Sequence, residues 1–190
     1  IISCPPADGS ADFRDPKVLR FDAGRASWWV LVLAAGDELR LYRSDDLRRW
    51  SETSRFRPDT APTGVLETPD LFPLAGPDST EHWVLTWGVI EGAPAGGSGT
   101  CALVGSFDGA TFTPDPDATV AWVDHGADCY AAQSWSDVAD GRRIWAAWLS
   151  NWSHADRFPA TTWRGQLTIP RELSLAPDGD GALRLAQRPV

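Results

Sequence analysis

Apolar residues along this chain come in short runs broken by turn dipeptides. Residues 27–34 read SWWVLVLA and stop at Gly36-Asp37; residues 38–43 then alternate, with Leu39 and Leu41 on one face and Glu38 and Arg40 on the other. A β-branched and aromatic run, a turn and an alternating run predict a β-hairpin. The same phrase recurs as HWVLTWGVI at 82–90, CALVGSF at 101–107 before Asp108-Gly109, RIWAAWLSN at 143–151, QLTI at 166–169, and a last short strand at 183–185 after Gly179-Asp180-Gly181. No apolar stripe keeps helical spacing over three turns, so the chain is expected to be all-β.

Spacing adds an architecture. Trp29, Trp83 and Trp145 hold similar places in the three strongest runs, 54 and 62 residues apart. A unit of that size holds three or four short strands, which fits a propeller blade better than one strand of a sandwich. Three blades and part of a fourth fit into 190 residues, whereas a closed propeller has at least roughly four. A sandwich stays open as the alternative.

Composition narrows the partners. With 17 basic against 26 acidic residues the net charge is −9. A field of that sign repels phosphate backbones and anionic lipid, so neither nucleic acid nor a membrane surface is an expected partner; an uncharged ligand is not repelled. Cys4, Cys101 and Cys129 are odd in number and, like His82, His125 and His154, lack ligand spacing. No structural metal and no cofactor are expected. There are 11 Trp and no Met, and the chain opens Ile1-Ile2-Ser3-Cys4. A processed product or a piece of a longer chain is therefore expected.

Three segments place polar groups where the strand pattern does not call for them. In Asp12-Phe13-Arg14-Asp15-Pro16-Lys17, two carboxylates flank an Arg just before a strand. Pro16 biases Asp15 towards an extended conformation, and Arg14 favours an ionised neighbour. A strand-entry turn with a surface ion pair reads the same letters. In Leu66-Glu67-Thr68-Pro69-Asp70-Leu71-Phe72, Glu67 sits among apolar residues. Such a setting suits a general acid, and Thr68 is placed to hydrogen-bond its carboxyl; a Glu reaching out from a strand end fits as well. Asp128, Tyr130 and Gln133 lie along an extended segment that a turn and an edge strand would also explain. Trp145, Trp148, Trp152 and Trp163 offer faces for sugar C–H groups, though a single Trp is more often a core anchor. Two carboxylates of different character, an Arg and several Trp point to glycosidic bond chemistry.

The order of motifs, FRDPKV at 13–18, ETPDL at 67–71, DCYAAQSW at 128–135, WLSNW at 148–152 and WRGQLTIPRELSL at 163–175, resembles glycoside hydrolase family 32, the invertases, levanases, inulinases and other β-fructosidases. The resemblance implies a five-bladed β-propeller, usually followed by a β-sandwich, and retaining hydrolysis that releases fructose from sucrose, levan or inulin. On it, residues 1–190 are part of the catalytic propeller, with the first blade and any C-terminal sandwich absent. It implies Glu67 as general acid/base, Asp15 as transition-state stabiliser, Arg14 beside the stabiliser, Asp128 and Tyr130 lining the pocket, and Trp152 against the fructose. A secreted parent fits the polymer-degrading members and a cytoplasmic one fits a sucrose hydrolase. Two departures stand out. Thr68 replaces the family's Cys after the acid, from which a changed pH optimum is expected. The family's nucleophile lies in an Asn-Asp-Pro type motif, and none occurs here; Asn151 is the only Asn. These 190 residues alone are therefore expected to be inactive. A non-catalytic sugar-binding propeller, or a propeller glycosidase acting on arabinan or xylan, are the other readings.

Overall fold

The computed structural model describes residues 12–59, 64–159 and 162–190. The first four strands are β1 (Phe13–Asp22), β2 (Ser27–Ala35), β3 (Glu38–Ser44) and β4 (Ser51–Phe56). They pair antiparallel in chain order. The second sheet runs β5 (Leu66–Ala75), β6 (Glu81–Val89), β7 (Gly99–Phe107) and β8 (Phe112–Pro114), with the short β9 (Ala121–Trp122) also on β7. The third is β10 (Tyr130–Ser134), β11 (Arg143–Trp148), β12 (Arg171–Pro177) and β13 (Leu183–Pro189). Among the described residues, three up-and-down sheets in sequence are three consecutive propeller blades, within the expected three to four.

The cores lie between blades. Val30, Val32, Leu39 and Leu41 of the first sheet meet Leu71, Leu85 and Trp87 of the second. Phe72, Val84 and Val104 on the other face of the second sheet meet Trp145, Ala147 and Leu173 of the third. The middle sheet is covered on both faces, which is why its strands read as near-continuous apolar runs rather than as alternation. Trp29, Trp83 and Trp145 all fall on the second strand of their sheets, at β2, β6 and β11. Cys101 belongs to the first core and Cys129 to the second. Burial pushes their thiols up to about 12 and about 11, so both act as small apolar side chains. Cys4 lies outside the described residues.

One expected strand fails. Residues 166–169 make only an isolated bridge, Trp148 to Leu167. Thr168 supplies the reason: its N–H donates to the Ala147 carbonyl and its hydroxyl accepts the Ala147 N–H. A side chain takes a ladder position there, and Pro170 follows.

The strand that opens each sheet carries the same irregularity. In β1 the pairing jumps from Arg14 to Lys17 while β2 advances from Ala34 to Val32. In β5 it jumps from Glu67 to Asp70, and in β10 from Tyr130 to Gln133. Each jump leaves one extra residue, a β-bulge. The first residue inside each bulge has positive φ: Asp15 at 58°, Thr68 at 45° and Ala131 at 54°. The extended conformation expected for Asp15 before Pro16 is thus not what the chain adopts. The bulge overrides the local preference, and the Asp15 carboxylate accepts the Thr68 N–H at 2.9 Å. A β-branched residue such as Thr68 with φ above zero is strained.

The bulges make the strands superpose position by position. Arg14, Glu67 and Tyr130 form one tier, Asp15, Thr68 and Ala131 a second, and Lys17, Asp70 and Gln133 a third. The third tier is tied across all three blades. Lys17 Nζ donates to Asp70 at 3.1 Å and to the Ser134 carbonyl at 2.6 Å. Asp70 is wholly buried and also accepts the Leu71 and Ser134 N–H groups. Lys17→Met would leave that carboxylate buried without its cation. A loss of about 3–5 kcal/mol is expected for breaking such a pair, read as a lowered urea midpoint in the full-length protein; an unchanged midpoint would contradict this assignment.

Candidate functional site

The first tier gathers three expected site residues around one carboxyl. Arg14 Nη2 lies 3.4 Å from Glu67 Oε1, and the Tyr130 hydroxyl donates to Glu67 Oε2. Glu67 is mostly enclosed, with 16% of its side chain exposed. Burial first, and then the neighbouring Glu67 carboxylate, push the Tyr130 phenol well above its usual range. It therefore stays protonated and remains a donor throughout the working pH range. Asp15 is one peptide step away, because the N–H it accepts belongs to Thr68, the residue after Glu67.

Two details correct the sequence reading. Arg14 does not pair with Asp15. The bulge turns the Asp15 carboxylate to the Thr68 N–H, and the guanidinium goes to Asp12 at 2.7 Å and to Glu67. Glu67 is accordingly set between a guanidinium and a phenol, not in an apolar shell. Thr68 does not hydrogen-bond the Glu67 carboxyl either: its buried hydroxyl has no hydrogen-bond partner, and its backbone N–H serves Asp15. The contact through which Thr68 was expected to move the pH optimum is not made.

Aromatic rings form one wall. Trp148 meets Tyr130 edge-on at 6.4 Å between centroids, and Trp152 packs on Trp148 at 4.9 Å. Trp152 is 54% exposed, which leaves a face for a ligand. Asp128 stands at the rim, 2.8 Å from His154 Nε2, on a cavity of about 640 Å³ that Trp148, Phe158 and Trp163 also line.

Asn151 anchors this wall. Its amide nitrogen donates to the Gly96, Ser98 and Ala127 carbonyls, and its Oδ1 accepts the Ser98 and Ser153 N–H groups. It thereby joins the Trp152 loop, the 96–98 turn and the residue before Asp128. Gly88 makes room for the first tier. A Cβ there would come within 2.9 Å of both the Tyr130 ring and the Thr68 hydroxyl oxygen. Gly88→Ala should push the Tyr130 ring away from Glu67 with the fold retained, read in a crystal structure of the variant; an unmoved Tyr130 would show that the close approach is unimportant.

The Glycosyl hydrolases family 32 N-terminal domain matches residues 1–189. The chain belongs to glycosyl hydrolase family 32. A levanase of Bacillus subtilis (strain 168) is 44% identical over 191 residues, covering 97% of this chain and 28% of the relative. An extracellular exo-inulinase of Aspergillus niger is 40% identical over 190 residues, covering 92% of this chain and 35% of the relative. The crystal structure of exo-inulinase from Aspergillus awamori superposes with a TM-score of 0.89 at 36% identity, over 97% of this chain and 38% of that one. This family 32 chain thus spans about a third of the length of the relatives it matches.

Within the family 32 fold, Arg14, Asp15, Glu67 and Tyr130 converge in one cluster, with Trp152 beside it through Trp148 and Asp128 at the rim. Sequence reasoning gave no role to Lys17, Gly88 or His154, and named Gln133 only as a polar group on the extended segment with Asp128 and Tyr130. The signal for Lys17 and Gln133 was present: each stands three positions after a first-tier residue, Arg14 or Tyr130, as Asp70 stands three after Glu67. Three further acids are each paired with a cation, Asp12 with Arg14, Asp70 with Lys17 and Asp124 with Arg171.

Proposed function

We propose that these strands form the fructosyl-binding end of a retaining fructoside hydrolase, and that the full-length protein releases fructose from levan, inulin or sucrose. The observation that carries the reading is Glu67, held at both carboxyl oxygens by Arg14 and Tyr130, with Asp15 one peptide step away. The relatives named levanase and exo-inulinase support the substrate class. So does a fructofuranosidase of Schwanniomyces occidentalis complexed with fructosylnystose, 31% identical with a TM-score of 0.85.

The chemistry follows from the layout. Glu67 protonates the leaving oxygen of the glycosidic bond and later activates water. Asp15 places negative charge against the oxocarbenium-like transition state, which carries more positive charge than the ground state. Arg14 and Tyr130 fix the Glu67 rotamer. Trp152 stacks on the sugar, and Asp128 accepts from its hydroxyls. Asn-Asp-Pro is absent from this sequence, so the reading assigns the nucleophile to no residue of this chain. It also makes residues 1–190 part of a larger catalytic propeller.

The test is fructose release from levan, inulin and sucrose by the full-length protein and by the 190-residue chain. Sustained release by the former and none by the latter is expected. Sugar binding by the full-length protein with no release from any of the three would overturn the hydrolase reading. Turnover by the 190 residues alone would refute the need for a further residue.

A further inference from the structure

We infer that Gln133 is a positioning residue, aligning Glu67 and Asp15 from the blade that carries neither. The inference rests on the hydrolase reading of the site. Gln133 Nε2 donates to the carbonyls of Thr68 at 3.0 Å and Pro69 at 3.2 Å. Those carbonyls belong to the β5 bulge. The same bulge presents the Thr68 N–H to the Asp15 carboxylate and carries Glu67 on its preceding residue. One side-chain amide therefore grips the backbone immediately after the Glu67–Thr68 peptide, through which the two carboxyls are joined.

That grip has work to do. Thr68 sits at φ 45°, a conformation that costs a β-branched residue free energy and persists only where the surroundings hold it. The backbone turn at Thr68, directly after the Glu67–Thr68 peptide, is thus strained, and the donor that holds the carbonyls on its far side lies in β10, in the third blade. Gln133 is itself oriented. Lys17 Nζ lies 3.4 Å from its Oε1, so the oxygen faces the first blade and the NH₂ faces the bulge. The order Lys17, Gln133, Thr68 and Pro69 carbonyls, Thr68 N–H, Asp15 runs from the first blade through the third and second and back to the first. A shift of any blade moves Asp15 relative to Glu67, and Gln133 is the link that closes the path.

Gln133→Met keeps the volume and removes both polar ends. Gln133→Glu keeps an oxygen for Lys17 and removes the donor to the bulge. Both variants in the full-length protein should lose about tenfold to a hundredfold in kcat on sucrose, the scale of a misplaced catalytic group, with KM within about twofold of wild type. A merely structural role would lower the melting midpoint without splitting kcat from KM. A readout independent of activity is hydrogen exchange of the Thr68 amide, which should lose protection in Gln133→Met while the Leu71 amide, held by Asp70, keeps it. Wild-type kcat in either folded variant, a loss carried by KM alone, or unchanged Thr68 protection would overturn the inference. Glu67→Ala separates the two claims. If it too keeps wild-type turnover, the hydrolase reading of the site has failed; if it is inactive while Gln133→Met is normal, only the positioning role has failed.

Discussion

Glu67→Ala in the full-length protein is expected to lower kcat on sucrose or levan by at least two orders of magnitude. General acid and base catalysis contributes roughly 10²–10⁴-fold, and the proposed mechanism gives both halves of it to Glu67. The loss should depend on the leaving group. A sugar alkoxide leaves poorly without a proton and feels the full deficit. An aryl fructoside, whose phenolate leaves without help, should retain much more activity in the fructosylation step. The substitution should be mild structurally, because Glu67 contributes two contacts rather than core packing: Arg14 keeps Asp12, while the Tyr130 hydroxyl loses its acceptor. Near-wild-type turnover on sucrose by Glu67→Ala would remove Glu67 from its role. An equal loss on sucrose and on the aryl substrate would point to a binding or folding defect instead of lost acid catalysis.

Asp15→Asn is the second large effect. The side chain keeps its shape, and Asn Oδ1 can still accept the Thr68 N–H that Asp15 now accepts at 2.9 Å. The negative charge is removed, and one acceptor oxygen becomes an NH₂ donor. Removing one preorganised electrostatic group from a site of this type costs roughly 10²–10³-fold in kcat. That loss should appear in kcat, with KM changing much less, because in the proposed mechanism the charge meets positive charge that develops only in the transition state. Steady-state kinetics on sucrose with a melting curve as control decide it. A loss in KM alone would make Asp15 a ligand for sugar hydroxyls and no more.

The sheets were legible because their chemistry is local. The Trp-rich runs at β2, β6 and β11, each interrupted by Gly, Pro or Asp, place strands at the right residues, and their spacing delivers blades. Residues 166–169 were misread because Thr168 substitutes a hydroxyl for a backbone partner, which alternation cannot show. The site was half legible. Motif letters placed Arg14, Asp15, Glu67 and Tyr130 in one set, but not their contacts. Arg14 and Asp15 are adjacent in sequence, yet the bulge turns Asp15 to the Thr68 N–H and leaves Arg14 to Glu67. Whether an X-Pro step in a strand is straight or bulged depends on the partner strand's register, a non-local quantity. The same holds for the third tier: Lys17, Asp70 and Gln133 are 53 and 63 residues apart and gain meaning only when three blades bring them to one axis. Gln133 reads as one more polar residue on a strand until its amide is seen facing the Thr68 carbonyl.

The most direct measurement is a crystal structure of the full-length Glu67→Ala variant soaked with an oligofructoside of the inulin or levan type. The terminal fructosyl ring is predicted to lie at the bulged ends of β1, β5 and β10, with the Asp15 carboxylate on its hydroxyls and the exposed face of Trp152 within stacking distance. A terminal ring bound elsewhere, such as in the cavity of about 550 Å³ lined by Lys17, Arg20 and Arg143 on the far side of the third tier, with the bulged ends unoccupied, would contradict the account.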